Sequence, residues 1–562
     1  LATISPMTGH PTSPHSPLAA SALLAAVAVP LVWSLWGAFA AGLNAPAWSG
    51  LLQDPQTVRA LGLSVWTGLL STALATLLAA WVLSTTVGRS ATQTHRLARW
   101  LAPMLAVPHA AFAIGLVALL APSGWIVRAL SPWATGLDAP PPWTTTQDPW
   151  GLGLVAVLVC KEMPFLLWAA LAHVQRPDVA RRLQQELRLA HTLGYSAHAA
   201  WWRVGWPQLL PRLTAPLLAV LAYGLTVVDV ALVIGPTTPP TLAVLAWQWL
   251  QDADPAMNAQ GAAAAWLLAG MLVLCAALTW SASRAPLWRL RWTRGAEPNK
   301  PNQRHSAVSL PDTLALLASV YLAVLLALLV GSVTGHWPFP QWLPDTWTWA
   351  AWHSVLGSGS TVWTTVGLAL ASAAVALVWA VAWLEWAPPR WQLRAQPLLT
   401  LPLVLPAVLW VVGLHRLALD WQLDTTAWGL WLAHTLACLP YVLLALQGPY
   451  TGFDARLRQV AATLGHGPWT FLLQVKWPLL RAALAASFAI GFAVSVAQYL
   501  PTLYVGAGRF NTITTEAVTL AAGGQRSLTA AFAWLQWLLP VLVFALAAHL
   551  GRAQFTDPAN PR

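Results

Sequence analysis

The sequence predicts an all-α membrane protein with about twelve transmembrane helices, built as two parallel six-helix repeats. Three observations carry that prediction. Of the 562 residues, 57% are hydrophobic and only 8% charged, the composition of a bilayer-embedded chain and not of a soluble core. The apolar residues gather into twelve spans, near 18–43, 61–87, 101–121, 151–173, 213–235, 261–280, 312–334, 361–385, 397–419, 427–448, 482–506 and 527–550. Each is about long enough to cross a hydrocarbon layer of ~30 Å. Finally, a patterned stretch in the first half recurs 271 residues later, the mark of a duplicated module.

Residues 1–17 are rich in Pro, Ser, Thr and His and are expected to form a disordered cytosolic tail. Span 1 carries Ala38-Phe39-Ala40, a triplet of the kind found at signal-peptide cleavage sites. It lacks a positively charged start and its apolar run is too long, so it is expected to remain a membrane helix. With the amino terminus placed inside, segments 88–100, 174–212, 281–311, 386–396, 449–481 and 551–562 hold 23 of the 29 Lys and Arg. The loops on the other side hold Arg59, Arg128, Arg509 and Arg526, while Lys161 and Arg416 fall within spans. The positive-inside rule then puts both termini in the cytoplasm. The formal charge of +11 is an orientation signal, and no nucleic-acid partner is expected.

Span 2 opens with Ser64-Val65-Trp66-Thr67, echoed in span 8 by Thr361-Val362-Trp363-Thr364. Span 3 holds Pro108 and Gly115, and span 9 holds Pro406 and Gly413, each pair seven residues apart. A Pro within a span frees a carbonyl and bends the helix, and small residues let neighbours approach. Both features suit a translocation core, and an ordinary bundle as well. The outer loops 122–150, 236–260 and 335–360 are rich in Pro and Trp. With 38 Trp in the chain, an interfacial belt is the favoured reading over an aromatic cage for a cationic substrate. Residues 284–311 are basic and polar, with Pro298 and Pro301, and read as a cytosolic linker. They separate a first domain over 18–283 from a second over 312–550, which a short cytosolic tail over 551–562 follows. Six spans on either side give the halves one orientation, related by an axis along the membrane normal.

The repeated stretch is a loop on the inner side, 176–212 in the first half and 453–481 in the second. Each reads as helix, tight turn, helix. Pro177 and Asp178 suit a first helical turn, and Val179, Leu183, Leu187 and Ala190 form one apolar stripe. Gly194 can end that helix in the left-handed conformation and Ser196 can cap the next. In the copy, Asp454 caps, and Leu457, Val460, Ala461 and Leu464 form the stripe. Gly465 ends it, and Gly467-Pro468 restart the helix. Thirteen residues separate Gly194 from Pro207 and Gly465 from Pro478, and each Pro is expected to open a long apolar segment. At the same offset Ala190, Thr192, Leu193, Val204, Trp206 and Leu209 meet Ala461, Thr463, Leu464, Val475, Trp477 and Leu480. A stripe on a water-side hairpin either seeks a partner's groove or packs on its own bundle. Two copies with one internal spacing favour the partner.

These loops resemble the signature loop of the permease subunits of bacterial ABC importers. That signature runs Glu-Ala-Ala, three residues, Gly, nine residues, then Ile-x-Leu-Pro. Here it reads Arg188-Leu189-Ala190, Gly194, Val204-Gly205-Trp206-Pro207, and again Gln459-Val460-Ala461, Gly465, Val475-Lys476-Trp477-Pro478. The leading acidic residue is replaced by Arg188 and Gln459. The resemblance covers nearly the whole chain and is strongest to fused double permeases of the ferric-iron, thiamine and sulfate group. It implies the type I ABC importer permease fold and a bacterial inner-membrane location. It also implies that the loops marked by Ala190, Gly194, Pro207, Ala461, Gly465 and Pro478 dock into a separate cytosolic ABC ATPase, present in two copies. A periplasmic or lipoprotein solute-binding protein would deliver the substrate.

Catalytic chemistry is not legible. A phosphate loop ends Gly-Lys-Ser/Thr, but Lys161, Lys300 and Lys476 precede Glu162, Pro301 and Trp477. Cys160, Cys275 and Cys438 lie singly in spans, and no nucleophile elbow or metal site stands out. The chain is therefore expected to be non-catalytic, with no cofactor. The charges within spans that stand as candidates are Lys161 and Glu162 in span 4 and Asp229 in span 5. Each costs roughly 2.5–3.5 kcal/mol near the bilayer centre unless paired or wet. Either Lys161 pairs with Asp229, or these groups line a pathway. The second half has Ala437 and Cys438 beside Pro440 where the first has Lys161 and Glu162 beside Pro164. Arg416 and His415 are expected to snorkel from the outer end of span 9. An ion-coupled secondary transporter with two six-helix halves is the alternative; it explains the repeat and the charges but not the hairpins.

Overall fold

The computed structural model describes residues 16–86, 97, 101, 103–174, 177–284 and 310–552. Most of the expected tail 1–17, the loop 88–100 apart from Leu97, nearly all of the linker 284–311 and the tail beyond Arg552 lie outside the described residues. Among the described residues the regular structure is helical, with isolated bridges only at Thr237–Pro240 and Thr334–Trp347.

The two halves use the same nine principal helices in the same order. The first half runs α1 (Pro17–Gly42), α2 (Thr57–Thr86), α3 (His109–Leu120), α4 (Leu152–Val174), α5 (Pro177–Thr192), α6 (Thr214–Thr226), α7 (Asp229–Ile234), α8 (Leu242–Leu250) and α9 (Pro255–Arg284). The second runs α10 (Leu310–Gly331), α11 (Gly359–Trp386), α12 (Ala407–Asp420), α13 (Ala427–Thr451), α14 (Arg456–Thr463), α15 (Trp477–Val496), α16 (Leu500–Gly506), α17 (Ile513–Gly523) and α18 (Arg526–Gly551). Among the described residues ten helices are long and apolar enough to cross a membrane. An eleventh arises if Pro389–Leu403 and Ala407–Asp420, bent by 102°, form one span, and span 7 adds the shorter apolar helix Ala315–Gly331.

Four spans expected to be continuous are broken. Pro108 and Pro406 are the N-caps of α3 and α12, not bends inside them. A residue with no N–H and a fixed φ is tolerated at a helix start and breaks a helix interior. Spans 5 and 11 break between α6 and α7 and between α15 and α16. The outer loops that follow are partly regular, folding as α8 and α17. Ser64 Oγ accepts the Leu242 amide at 2.9 Å, and Thr365 Oγ1 accepts the Ile513 amide at 2.9 Å. Ser64 and Thr365 are therefore structural equivalents, one helical turn away from the Ser64–Thr361 match that the sequence suggests.

Within each half α2 packs on α4 and α6, and α11 on α13 and α15. The first helices are exchanged: α1 packs on α12 of the second half, and α10 on α3 of the first. Gly413 and Gly115 mark the two crossings. A methyl group on Gly413 would collide with the backbone of Ser34, and one on Gly115 would lie 2.9 Å from the Val324 carbonyl oxygen. Small residues allow this approach. Trp33 Nε1 donates to Asp420 at 3.0 Å and Trp379 Nε1 to the Leu23 carbonyl at 2.9 Å, tying α1 further to the second half. Arg416 packs its stem on Gly37 and pairs with Asp420 at 3.1 Å.

Candidate functional site

The two repeated hairpins lie at one end of the bundle. At the opposite end, Thr334 after α10 bonds Ser527 at the start of α18 at 3.0 Å, and Arg526 reaches Ser123 beyond α3 at 2.9 Å. Gln147, ahead of α4, donates to the carbonyl of Ile234 at 3.0 Å, while Thr145 bonds that of Leu120. From there α4 and α18 run the length of the bundle. The first leads into hairpin 176–212, and the second ends where Arg481 donates to the Arg552 carbonyl at 2.6 Å, beside hairpin 453–481.

Both hairpins turn the same way. The Tyr195 amide donates to the Ala190 carbonyl at 3.1 Å and the Gly194 amide to that of His191 at 3.0 Å. In the copy, His466 donates to Ala461 and Gly465 to Ala462, each at 3.0 Å. This is the Schellman closure, in which the residue past the helix must be left-handed. Gly194 has φ +89° and Gly465 has φ +80°. The signature Ala is the residue whose carbonyl closes the motif, and its side chain is 5% exposed in both copies. Ser196 caps the next helix by accepting the Ala199 amide at 3.2 Å. In the copy the N-cap is Ala455 and not the expected Asp454, which lies one residue earlier and accepts the Arg456 amide at 2.9 Å.

The expectation that Pro207 and Pro478 open new segments is corrected. Each lies inside one continuous helix, Ala197–Thr226 and Pro468–Val496. A single π-turn precedes each, at Trp201–Gly205 and Leu472–Lys476. There the Trp206 amide bonds the Trp201 carbonyl, and the Trp477 amide the Leu472 carbonyl, five residues back. The wider turn accommodates a residue that has no N–H and whose ring would strike the carbonyl four residues earlier.

The predicted stripes divide. Val179, Leu183, Leu187 and Ala190 are all buried against the chain itself, so in the first hairpin the stripe packs on its own bundle. In the second, Ala461 is buried but Leu457, Val460 and Leu464 are open. The face that both hairpins present lies outside the predicted stripe in the first and within it in the second. Leu189 and Leu193 are 60% and 61% exposed, and their equivalents Val460 and Leu464 are 53% and 69% exposed. The sequence matched Leu193 to Leu464 without separating this face from the buried one. The first hairpin is braced by Glu186, which accepts from Arg182 at 2.9 Å and from Gln208. Arg182 beside it holds the Glu186 carboxyl below its usual range. Trp201 is buried and donates Nε1 to the Ala80 carbonyl at 2.9 Å.

The intramembrane charges do not pair as expected. Lys161 Nζ donates to the carbonyls of Met104 at 2.9 Å and Val107 at 2.6 Å, not to Asp229. Met104 is the residue four before Pro108, whose carbonyl the missing proline N–H leaves free. Glu162 instead bonds His109 at 3.0 Å, and the Tyr223 ring lies tilted against His109 with centroids 4.7 Å apart. Asp229 begins the short helix α7, where a carboxylate is well placed near the free amides. It is partly accessible, as are His109 and Tyr223. Sequence reasoning missed His109; the signal was a polar residue directly after a Pro that breaks a span. It also missed His434, fully buried, with Ser495 at 2.8 Å on one nitrogen and Thr502 at 2.9 Å on the other.

The chain is 34% identical over 548 residues to the inner membrane ABC transporter permease protein YnjC of Escherichia coli (strain K12), covering 94% of this chain and 95% of that protein. It is 26% identical over 520 residues to the thiamine transport system permease protein ThiP of Salmonella typhimurium (strain LT2), covering 88% and 89%. A stretch of 165 residues, 29% of this chain and 62% of the relative, is 24% identical to the spermidine/putrescine transport system permease protein PotC of Escherichia coli (strain K12). No family model matches the chain.

Proposed function

This chain belongs to the permease subunits of ABC transporters, and from that premise we propose that it is the fused, two-domain transmembrane subunit of an importer driven by separate ATPase chains. One observation carries the reading: two hairpins of identical turn geometry stand at one end of the bundle, each with an exposed apolar pair. Leu189 with Leu193, and Val460 with Leu464, offer the side chains that a hydrophobic groove would cover. Gly194 and Gly465 set the turn that presents them, and Pro207 and Pro478, with their π-turns, set how each hairpin joins α6 and α15.

In this reading two copies of a cytosolic ATPase hold the hairpins, one each, and both chain termini are cytoplasmic. The halves, 18–283 and 312–550 with the linker 284–311, rock about the exchanged helices α1 and α10. A binding protein delivers a small solute to the far side. The relatives named for thiamine and for spermidine or putrescine suggest a cargo of that size, within the ferric-iron, thiamine and sulfate group of systems. The pathway passes the partly accessible groups at the span breaks, Asp229 and His109 with Glu162, while Lys161 holds the wall. Membership of this family displaces the ion-coupled secondary transporter.

The test is co-expression with the ATPase chain from the same operon and purification of the complex. A stable complex that a Leu464→Asp substitution dissolves supports the reading. A permease that transports with no ATPase present ends it.

A further inference from the structure

The second hairpin is held to the bundle by charge. Glu385 sits in the last turn of α11, where a carboxylate meets the negative end of the helix dipole and gains nothing from it. It is nevertheless 7% exposed. Its Oε1 accepts from Arg458 Nη2 of α14 at 3.2 Å. Its Oε2 accepts from Lys476 Nζ of the π-turn at 2.6 Å and from the Tyr450 hydroxyl, near the end of α13, at 2.9 Å. Lys476 also lies 3.8 Å from the Tyr450 ring centroid, and Trp477 Nε1 reaches the Tyr450 hydroxyl at 3.4 Å. One carboxylate thus joins four elements: span 8, span 10, the hairpin helix and the π-turn.

The first hairpin is built differently at the equivalent positions. The equivalence of Ser64 with Thr365 puts Ser84 opposite Glu385, and Ser84 donates to the Trp81 carbonyl of its own helix. The 271-residue offset puts Leu187 opposite Arg458 and Gly205 opposite Lys476. The Trp201 ring fills the space there, 2.6 Å from where a Gly205 side chain would begin.

We propose that Glu385 is the positioning residue of the second hairpin, an ion clamp that fixes residues 453–481 to span 8. This rests on the hairpins being the points where the ATPase acts. A charge cluster with directed bonds resists sliding of the hairpin over α11. At the first hairpin the corresponding tie is the neutral Trp201 Nε1 bond to the Ala80 carbonyl of α2, weaker than a charge-assisted one. Nucleotide-driven motion then passes from the second hairpin into α11 as one body.

Spin labels at Gly467→Cys and Gly367→Cys test this, since both positions face open space, one on the hairpin and one on α11. The complex with the ATPase should give a narrow distance distribution, alike without nucleotide and with ATP bound. Glu385→Gln should broaden it and lower ATP hydrolysis about tenfold while the ATPase stays bound, and Glu385→Asp should restore part of both. The triple variant Glu385→Ser, Arg458→Leu, Lys476→Gly carries the first half's residues, leaves no buried charge unpaired, and should fold with the same broad distribution. An unbroadened distribution in the folded triple variant overturns the clamp. Leu464→Asp is the separate control: if it leaves ATPase binding intact, the coupling reading fails, whatever Glu385 does.

Discussion

Lys161 donates its ammonium to the carbonyl of Met104 at 2.9 Å, the carbonyl that Pro108 leaves without a partner. The charge in span 4 is thereby a strut for the break in span 3. Lys161→Met should leave the Met104 and Val107 carbonyls unpaired in an apolar setting, at about 1–3 kcal/mol each. The thermal midpoint of the purified chain should fall accordingly. Asp229→Asn keeps an oxygen at the start of α7 and should move that midpoint little. An unchanged midpoint for Lys161→Met would show that these bonds do not hold the break.

Gly194 and Gly465 are tied to their turns by φ values of +89° and +80°. A β-branched side chain in that region costs roughly 1–2 kcal/mol or more. Gly194→Val and Gly465→Val should therefore fold, with the loss confined to the hairpins. ATP hydrolysis by the complex should fall or become independent of the binding protein. Wild-type coupling in both variants would remove the turn from the mechanism.

The exchanged helices predict a different sensitivity. Gly413 touches the Ser34 backbone where α1 crosses α12. Gly413→Leu forces these helices apart and should cost about 1–3 kcal/mol as overpacking, read as reduced folded yield and a lower midpoint. Gly367, with open space around it, accepts the same substitution without loss.

Much of this was legible in the sequence, and the limits are specific. Span positions, the duplication and the hairpin turns follow from composition and from Gly at a fixed place, because hydropathy and the left-handed turn are local properties. The break before α7 was not legible, since no Pro or Gly marks Val227-Val228; the break before α16 had a signal that was passed over, Pro501 in the first turn of that helix. The sequence placed Lys161 and Asp229 on neighbouring spans and so suggested a pair. Only the fold puts Met104 and Val107 within reach of Lys161. The stripe reading failed for the first hairpin because amphipathicity marks which face is apolar, not whether its own bundle already covers it. Glu385 drew no notice because its cation partners lie 73 and 91 residues away.

The first hairpin should respond to acid through Glu186. Its carboxyl pKa lies below the reference value of 4.5, chiefly because Arg182 bonds it. A folded pKa below the unfolded one means that the unfolded state binds more protons in between, so stability rises with pH there. The contribution is complete above about pH 4.5 and is lost as pH falls through the folded pKa. Amide exchange over 176–212 should therefore accelerate below that pH in the wild type. In Glu186→Gln this acid step should be absent. The same step in both proteins would exclude Glu186 as its source.

The most direct measurement places single cysteines, Leu193→Cys and Leu464→Cys, in a chain whose Cys160, Cys275 and Cys438 are replaced by Ala. Each is treated with a membrane-impermeant maleimide. Both should be silent in intact cells, react in inverted vesicles stripped of ATPase, and be shielded again when the ATPase is restored. Labelling of one position from each side of the membrane, or reactivity that the ATPase leaves unchanged, would contradict the account.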